Sequence, residues 1–233
     1  PLFVFNSVAI IVAIFDIWLI QHVSGSIQTG FYGIAYSIAA MCFLFTGAMT
    51  QIIAREFSKS FAENDIDNIK SLFKVYTPIL YALAAYFGVF LSFQSDALLE
   101  IFMGEEFEGA YFALMIMAFY PIHQTYGQLN SSLFFSTENT RRYRDTSLVS
   151  MFIGMIFSYI FVYELELGAV GFAWKMVLSQ LIGVNLQLFY IARFLQVKFM
   201  PFLKHQLVVL LFFVLTAYLV SWSPWLIGNA LMS

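Results

Sequence analysis

Charge, cysteine and long polar segments are all scarce in this chain. Only 11% of its 233 residues are Asp, Glu, Lys or Arg, where soluble domains carry about a quarter. No gap between its apolar runs exceeds about twenty residues, which leaves no room for a water-soluble catalytic domain. One cysteine, Cys42, excludes a disulfide framework and a thiolate metal site, and between Met41 and Phe43 it reads as a small apolar filler. Phosphate-cradling loops, paired catalytic carboxylates and a metal-binding His/Glu cluster are missing, so no catalytic residue, metal or cofactor is expected, and no enzyme. The chain opens on Pro1 with neither a basic leader nor a small-residue cleavage site, so no signal peptide is read. It reads as a fragment that starts at the foot of a helix and ends in a truncated C-terminal segment.

Apolar residues fill the space: 61% of the chain is hydrophobic and the mean hydropathy is +0.81. Seven runs stand out, at 2–20, 31–53, 75–93, 110–135, 147–163, 168–192 and 206–222, each near the ~20 residues that cross a ~30 Å hydrocarbon core. They are continuously apolar, without the ten-residue alternation of a membrane strand, so the spanning element is helical. The fold class expected is an all-α polytopic membrane protein with about seven transmembrane helices.

Ten of the eleven Lys and Arg residues fall in Arg55 to Lys74, Arg141 to Arg144 and Arg193 to Lys204, which are alternate gaps between the runs. The gaps of the other parity hold Asp96, Glu100, Glu105, Glu106, Glu108, Glu164 and Glu166 and no cation. The positive-inside rule puts the basic gaps, and the N-terminal end, in the cytoplasm. Basic residues confined to membrane edges give no support to a nucleic-acid partner. Membrane lipids are the expected partners; Arg141, Arg142 and Arg144 read first as topology anchors and second as contacts for anionic head groups.

Local signals suggest how the runs connect. The turn His22 to Gly30 is short enough to force an antiparallel helix pair, with Ser26 or Thr29 placed to cap the second helix. Asn64 or Asp65 can cap a helix, and 57–73 reads as an elbow lying on the cytoplasmic surface. Pro78 and Pro121 should kink or break the third and fourth runs.

Three runs carry polarity that lipid disfavours. Run four places Tyr120, His123, Gln124, Gly127, Gln128 and Ser131 on one sector and Met115, Ala118, Ile122, Leu129 and Leu133 opposite, which reads as a wet or packed side and a lipid side. Run six carries Gly171, Lys175, Ser179, Gly183 and Gln187 at four-residue spacing, suited to a close helix seam. Lys175 lies about seven residues, or ~10 Å, from the outer end of its run, too deep for easy snorkelling. Either a structural ion pair or a substrate-facing cation accounts for it. Asp16, the one carboxylate within a run, reads as the partner of Lys175, as a proton or cation site, or as a residue near a frayed helix end. His123 has the position of a proton relay, against the plainer reading of a hydrogen-bonded packing residue.

Phe15-Asp16-Ile17-Trp18-Leu19, then Gly25, then Gly30-Phe31-Tyr32-Gly33-Ile34-Ala35-Tyr36 resembles the start of the C-terminal lobe of oligosaccharide flippases of the polysaccharide-transport (O-antigen, Wzx-type) family. That family belongs to the multidrug/oligosaccharidyl-lipid/polysaccharide exporter superfamily. Gly104 to Ala110 is similar to the outer loop before that lobe's fourth helix, and Leu167 to Ala173 to the glycine-rich entry of its sixth. The family's usual proline near the cytoplasmic end of the lobe's second helix is absent from Ala48-Met49-Thr50-Gln51-Ile52.

The resemblance implies a two-lobe exporter of which residues 1–192 form the second, six-helix lobe and 193–233 an additional helix and truncated end, with the N-terminal lobe of the same polypeptide as the missing partner. It implies a multi-pass protein of the bacterial plasma (inner) membrane that moves a polyprenyl-diphosphate-linked oligosaccharide, an O-antigen or exopolysaccharide repeat unit, to the outer leaflet by alternating access. Lys175, Gln124, Gln128, Tyr32 and Tyr36 are the candidate substrate-binding residues, and Asp16 and His123 the candidates for a coupling ion. The alternatives are a cation-coupled multidrug antiporter of the same superfamily and, further off, a membrane polysaccharide polymerase or ligase.

Overall fold

The computed structural model describes residues 2–232, without the side chains of 2, 4, 45, 105 and 222–232. Nine α-helices are seen among them: α1 Leu2–Ala40, α2 Phe43–Ala62, α3 Ile66–Phe93, α4 Ser95–Met103, α5 Tyr111–Met117, α6 Tyr120–Ser136, α7 Thr140–Ser158, α8 Gly168–Phe194 and α9 Met200–Met232. A 3₁₀ turn at Glu105–Ala110 leads into α5, and a π-helical segment at Tyr159–Glu164 extends α7. No strand occurs among the described residues. The chain is an all-α polytopic membrane protein.

Five stretches are long and apolar enough to cross a bilayer: Phe5–Ala40, Ile66–Phe93, Thr140–Glu164, Gly168–Phe194 and Met200–Ser221. The difference from seven apolar runs has a local cause. Run two is broken at Met41-Cys42 and run four at Ala118-Phe119, two residues ahead of Pro121 in the first turn of α6. The first half of run two is counted with run one in Phe5–Ala40. Pro78, by contrast, leaves α3 continuous.

Within α1 a single residue, Gly25 (φ 86°, ψ 174°), departs from helical geometry. A straight helix would separate Asp16 from Tyr32 by about 24 Å. Instead Asp16 pairs with Lys175 while the Tyr32 ring lies 4.4 Å from that of Phe172, less than one turn away on α8. Gly25 therefore folds the chain back, and the two arms of α1 flank the same turns of α8. Thr29 Oγ1 donates to the Gly25 carbonyl (3.0 Å), so its hydroxyl closes the turn and does not cap the second arm as expected. Nothing lies within 4 Å of a Cβ built on Gly25, so the cost of Gly25→Ala is conformational alone, about 1–3 kcal/mol for a non-glycine residue in this extended positive-φ region. A thermal unfolding midpoint in detergent a few degrees below the parent's is the expected readout.

The basic end is built from three turns of one kind. Asn64, Glu138 and Gln196 each take positive φ, and each is followed by a 6→1 amide bond: Asp65 to Ser60, Asn139 to Phe134 and Val197 to Ala192. These are Schellman closures, which satisfy the last carbonyls of α2, α6 and α8. Asp65 also caps α3 by accepting from the Asn68 amide (2.9 Å). The elbow expected at 57–73 is not a separate helix: α2 runs on to Ala62 and α3 starts at Ile66, so the amphipathic stretch is shared between two helix ends.

The core sits around α6, which packs on α2, α3 and α8. Ile122, Leu129 and Leu133 are buried in a cluster with Phe57, Phe73, Tyr81 and Leu188, which corrects the lipid-facing side expected for run four. The three surrounding helices cover that side of α6, so it is core, while Phe135 near its C-terminal end stays exposed. The α7–α8 seam follows the small-residue ridge: a Cβ at Gly171 would meet the Phe161 carbonyl oxygen at 2.6 Å, and one at Gly183 would meet Ser150 Oγ at 2.2 Å. Gly183→Ala is expected to cost about 1–3 kcal/mol through this overlap. Ser150→Gly in the same chain should recover most of it, as read by the unfolding midpoint.

Candidate functional site

The site begins with the two charges buried in the membrane-spanning stretch. Lys175 on α8 and Asp16 on the first arm of α1 form an ion pair, with side chains 7% and 10% exposed. The second carboxylate oxygen of Asp16 accepts from Ser158 Oγ (2.9 Å), the last residue of α7 before the π-helical segment. The Lys175 ammonium also lies 4.7 Å from the centroid of the Phe172 ring, a cation–π arrangement. Gly154 on α7 packs against the pair: a Cβ there would stand 3.4 Å from Lys175 Cε, an ordinary van der Waals contact. Every charge in this cluster is answered, which is the condition for holding an ammonium and a carboxylate away from water.

From this pair a band of rings leads across the bundle. Phe172 meets Tyr32 at 4.4 Å, Tyr32 meets Tyr36 at 6.1 Å, and Tyr36 meets Tyr120 at 6.0 Å between centroids. Tyr120 in turn lines an open cavity of about 310 Å³ bordered by α1, α6, α7 and α8.

That cavity is polar and uncharged. Gln124, Gln128 and Ser131 enter it from α6, Ser147 and Ser150 from α7, and Gln180 and Gln187 from α8, with Phe5, Tyr120 and Tyr143 as ring walls. The amides cross-link the helices: Gln180 Nε2 donates to Gln124 Oε1, and Gln187 Nε2 donates to Ser147 Oγ (3.2 Å). Gln128 Oε1 and Gln187 Oε1 are buried without a hydrogen-bond partner. Unanswered amide oxygens in a low-dielectric interior cost free energy. Gly127 lets this wall close, because a Cβ there would stand 2.9 Å from Gln180 Nε2.

The candidate residues thus divide. Gln124 and Gln128 line the cavity; Tyr32 and Tyr36 form the band beside it; Lys175 and Asp16 hold each other at its far end. His123 is apart from all of these. It is buried against α3, with the Tyr81 hydroxyl 3.5 Å from its Nδ1, and faces away from the cavity that its neighbour Gln124 lines. Ser147, Ser150, Ser158 and Gln180 were not singled out from the sequence, although Ser147, Ser150, Gly154 and Ser158 form a small-residue stripe at three- and four-residue spacing along run five. Among the described residues no group of three or more His, Cys, Asp or Glu side chains is placed to hold a metal ion.

The chain is similar, at 26% identity over 190 residues, to the "Probable low-salt glycan biosynthesis flippase Agl15" of Haloferax volcanii. The match takes in 81% of this chain and 38% of that protein, so the chain spans less than half the length of its relative. No family model matches, and no solved structure matches.

Proposed function

We propose that this chain is one lobe of a flippase that moves a lipid-linked oligosaccharide across the membrane. The observation that carries the reading is the uncharged, amide- and hydroxyl-lined cavity between membrane-spanning helices. Sugar hydroxyls each donate and accept, and glutamine and serine answer both needs, while Tyr120 and Tyr143 offer faces for the apolar sides of pyranose rings. A polyprenyl tail needs no cavity, since it stays in lipid. The similarity to a protein named as a glycan biosynthesis flippase supports the same reading.

In this proposal Gln124, Gln128, Gln180 and Gln187 bind the glycan. Tyr32 and Tyr36 extend the stacking surface toward the opposite end. The Asp16–Lys175 pair is a hinge of the lobe: it ties the first arm of α1 to α8 and can exchange partners as the cavity changes sides. The basic end faces the cytoplasm by the positive-inside rule, the missing lobe completes the cavity, and transport proceeds by alternating access in the plasma membrane. The finer substrate is a polyprenyl-diphosphate-linked repeat unit of the O-antigen or exopolysaccharide kind. The activity is transport and not catalysis.

A cation-coupled multidrug antiporter is the second reading, favoured by the buried carboxylate of Asp16. Against it, that carboxylate is already answered by Lys175 and Ser158, and no acid lines the cavity. The deciding experiment reconstitutes the full-length parent in proteoliposomes with a fluorescent lipid-linked oligosaccharide and follows its transfer between leaflets. Glycan transfer without export of amphiphilic cations is expected; cation export without glycan transfer would give the antiporter.

A further inference from the structure

A second cavity, of about 650 Å³, opens at the basic end between α3 and the start of α9. Lys74 and Lys198 line it, with Pro78, Val197, Pro201 and Phe202 as an apolar wall. It shares no lining residue with the glutamine cavity.

Three features of the cleft point to one kind of guest. Both lysines are exposed, and neither makes a salt bridge among the described residues, whereas Lys70 and Arg144 at the same end are paired with Asp67 and Asp145 at 3.1 and 2.7 Å. No carboxylate lines the cleft, so two ammonium groups face it unanswered. Past the first turn of α9, His205 also lines it, and its Nδ1 is buried without a hydrogen-bond partner. The imidazole is held on its inner side by an edge contact with Tyr81, centroids 6.2 Å apart. Cations at the mouth and prolines and Phe202 alongside make an amphiphilic slot at the membrane edge, where anionic head groups concentrate.

We propose that this cleft binds the phosphate head group of an anionic phospholipid, with Lys74 and Lys198 on the phosphate and an acyl chain along Pro78 and Phe202. Such a lipid would staple α9 to α3 at the basic end, beside the Phe73–Phe202 contact (5.3 Å). The site stands on its own geometry and does not depend on the transport reading.

The test uses the purified full-length parent in nanodiscs made from phosphatidylcholine with increasing phosphatidylglycerol, and counts retained lipid by native mass spectrometry. Saturable retention of phosphatidylglycerol is expected, weakened about 30-fold in Lys74→Gln/Lys198→Gln, from the loss of two near-surface cations. His205→Gln should weaken it further without altering the unfolding midpoint, and Lys70→Gln, whose lysine is paired outside the cleft, should leave it unchanged. Displacement by millimolar inorganic phosphate would assign the affinity to the phosphate alone; resistance to it would assign it to the whole amphiphile. Equal retention of phosphatidylcholine, or equal loss in Lys70→Gln, would overturn the proposal.

Discussion

Asp16→Ala is expected to destabilise the bundle by about 3–5 kcal/mol, the penalty for leaving one member of a buried ion pair without its partner. The Lys175 ammonium would retain only the Phe172 ring, and Ser158 would lose its acceptor. Little of the pair is open to solvent, so water cannot replace the lost carboxylate without opening the α1–α7–α8 contact. Removing both charges, as in Asp16→Leu/Lys175→Met, should bring stability back to within about 1–2 kcal/mol of the parent, because the desolvation cost of both ions goes with their attraction. A double-mutant cycle on unfolding midpoints in detergent measures this coupling directly. Single variants each as stable as the parent would mean that the two groups do not depend on one another. If the pair also serves as the transport hinge, the double variant should fold normally and flip slowly, a result that packing alone does not give.

Gln124→Leu/Gln180→Leu is expected to leave stability nearly unchanged and to slow glycan transfer by tenfold or more. The two amides bond to each other across α6 and α8, and exchanging both partners of a buried hydrogen bond for apolar groups of similar size is close to neutral. The same change removes two donor–acceptor groups from the cavity wall. At about 1 kcal/mol for each bond lost to substrate, a tenfold effect is the lower end. Initial rates in the proteoliposome assay, normalised to folded protein by size exclusion, separate the two consequences. His123→Gln, which changes a group outside the cavity, is the control expected to keep transport while altering the Tyr81 packing.

Much of this arrangement is legible in the chain because membranes impose strong rules. A charge inside hydrocarbon is costly, so Asp16 and Lys175, one in each of two runs, could be placed at similar depth before any contact was known. The loop lengths also foretold that the chain turns back between 20 and 31, and Gly25 does the turning. What could not be read is facing. In a soluble protein an apolar helix side points inward and a polar side outward; in a bundle both lipid and core are apolar, so Ile122, Leu129 and Leu133 carried no sign of which one they meet. For the same reason His123 and Gln124, adjacent in sequence, divide between the α3 interface and the cavity. The elbow at 57–73 failed differently: its amphipathic pattern is real, but a Schellman turn at Asn64 splits it between the end of α2 and the start of α3. Gln180, Ser147 and Ser150 gained their meaning only when α6, α7 and α8 converged on one space.

In the proposed function the glycan sits in the glutamine cavity. The direct measurement is alkylation of a cysteine placed at Ser131 in the full-length parent, with Cys42, buried at the break between α1 and α2, replaced by alanine. A lipid-linked oligosaccharide should slow labelling of that cysteine in a saturable way, while the same lipid diphosphate without its glycan should not. Equal protection by the two lipids, or by neither, would contradict the assignment.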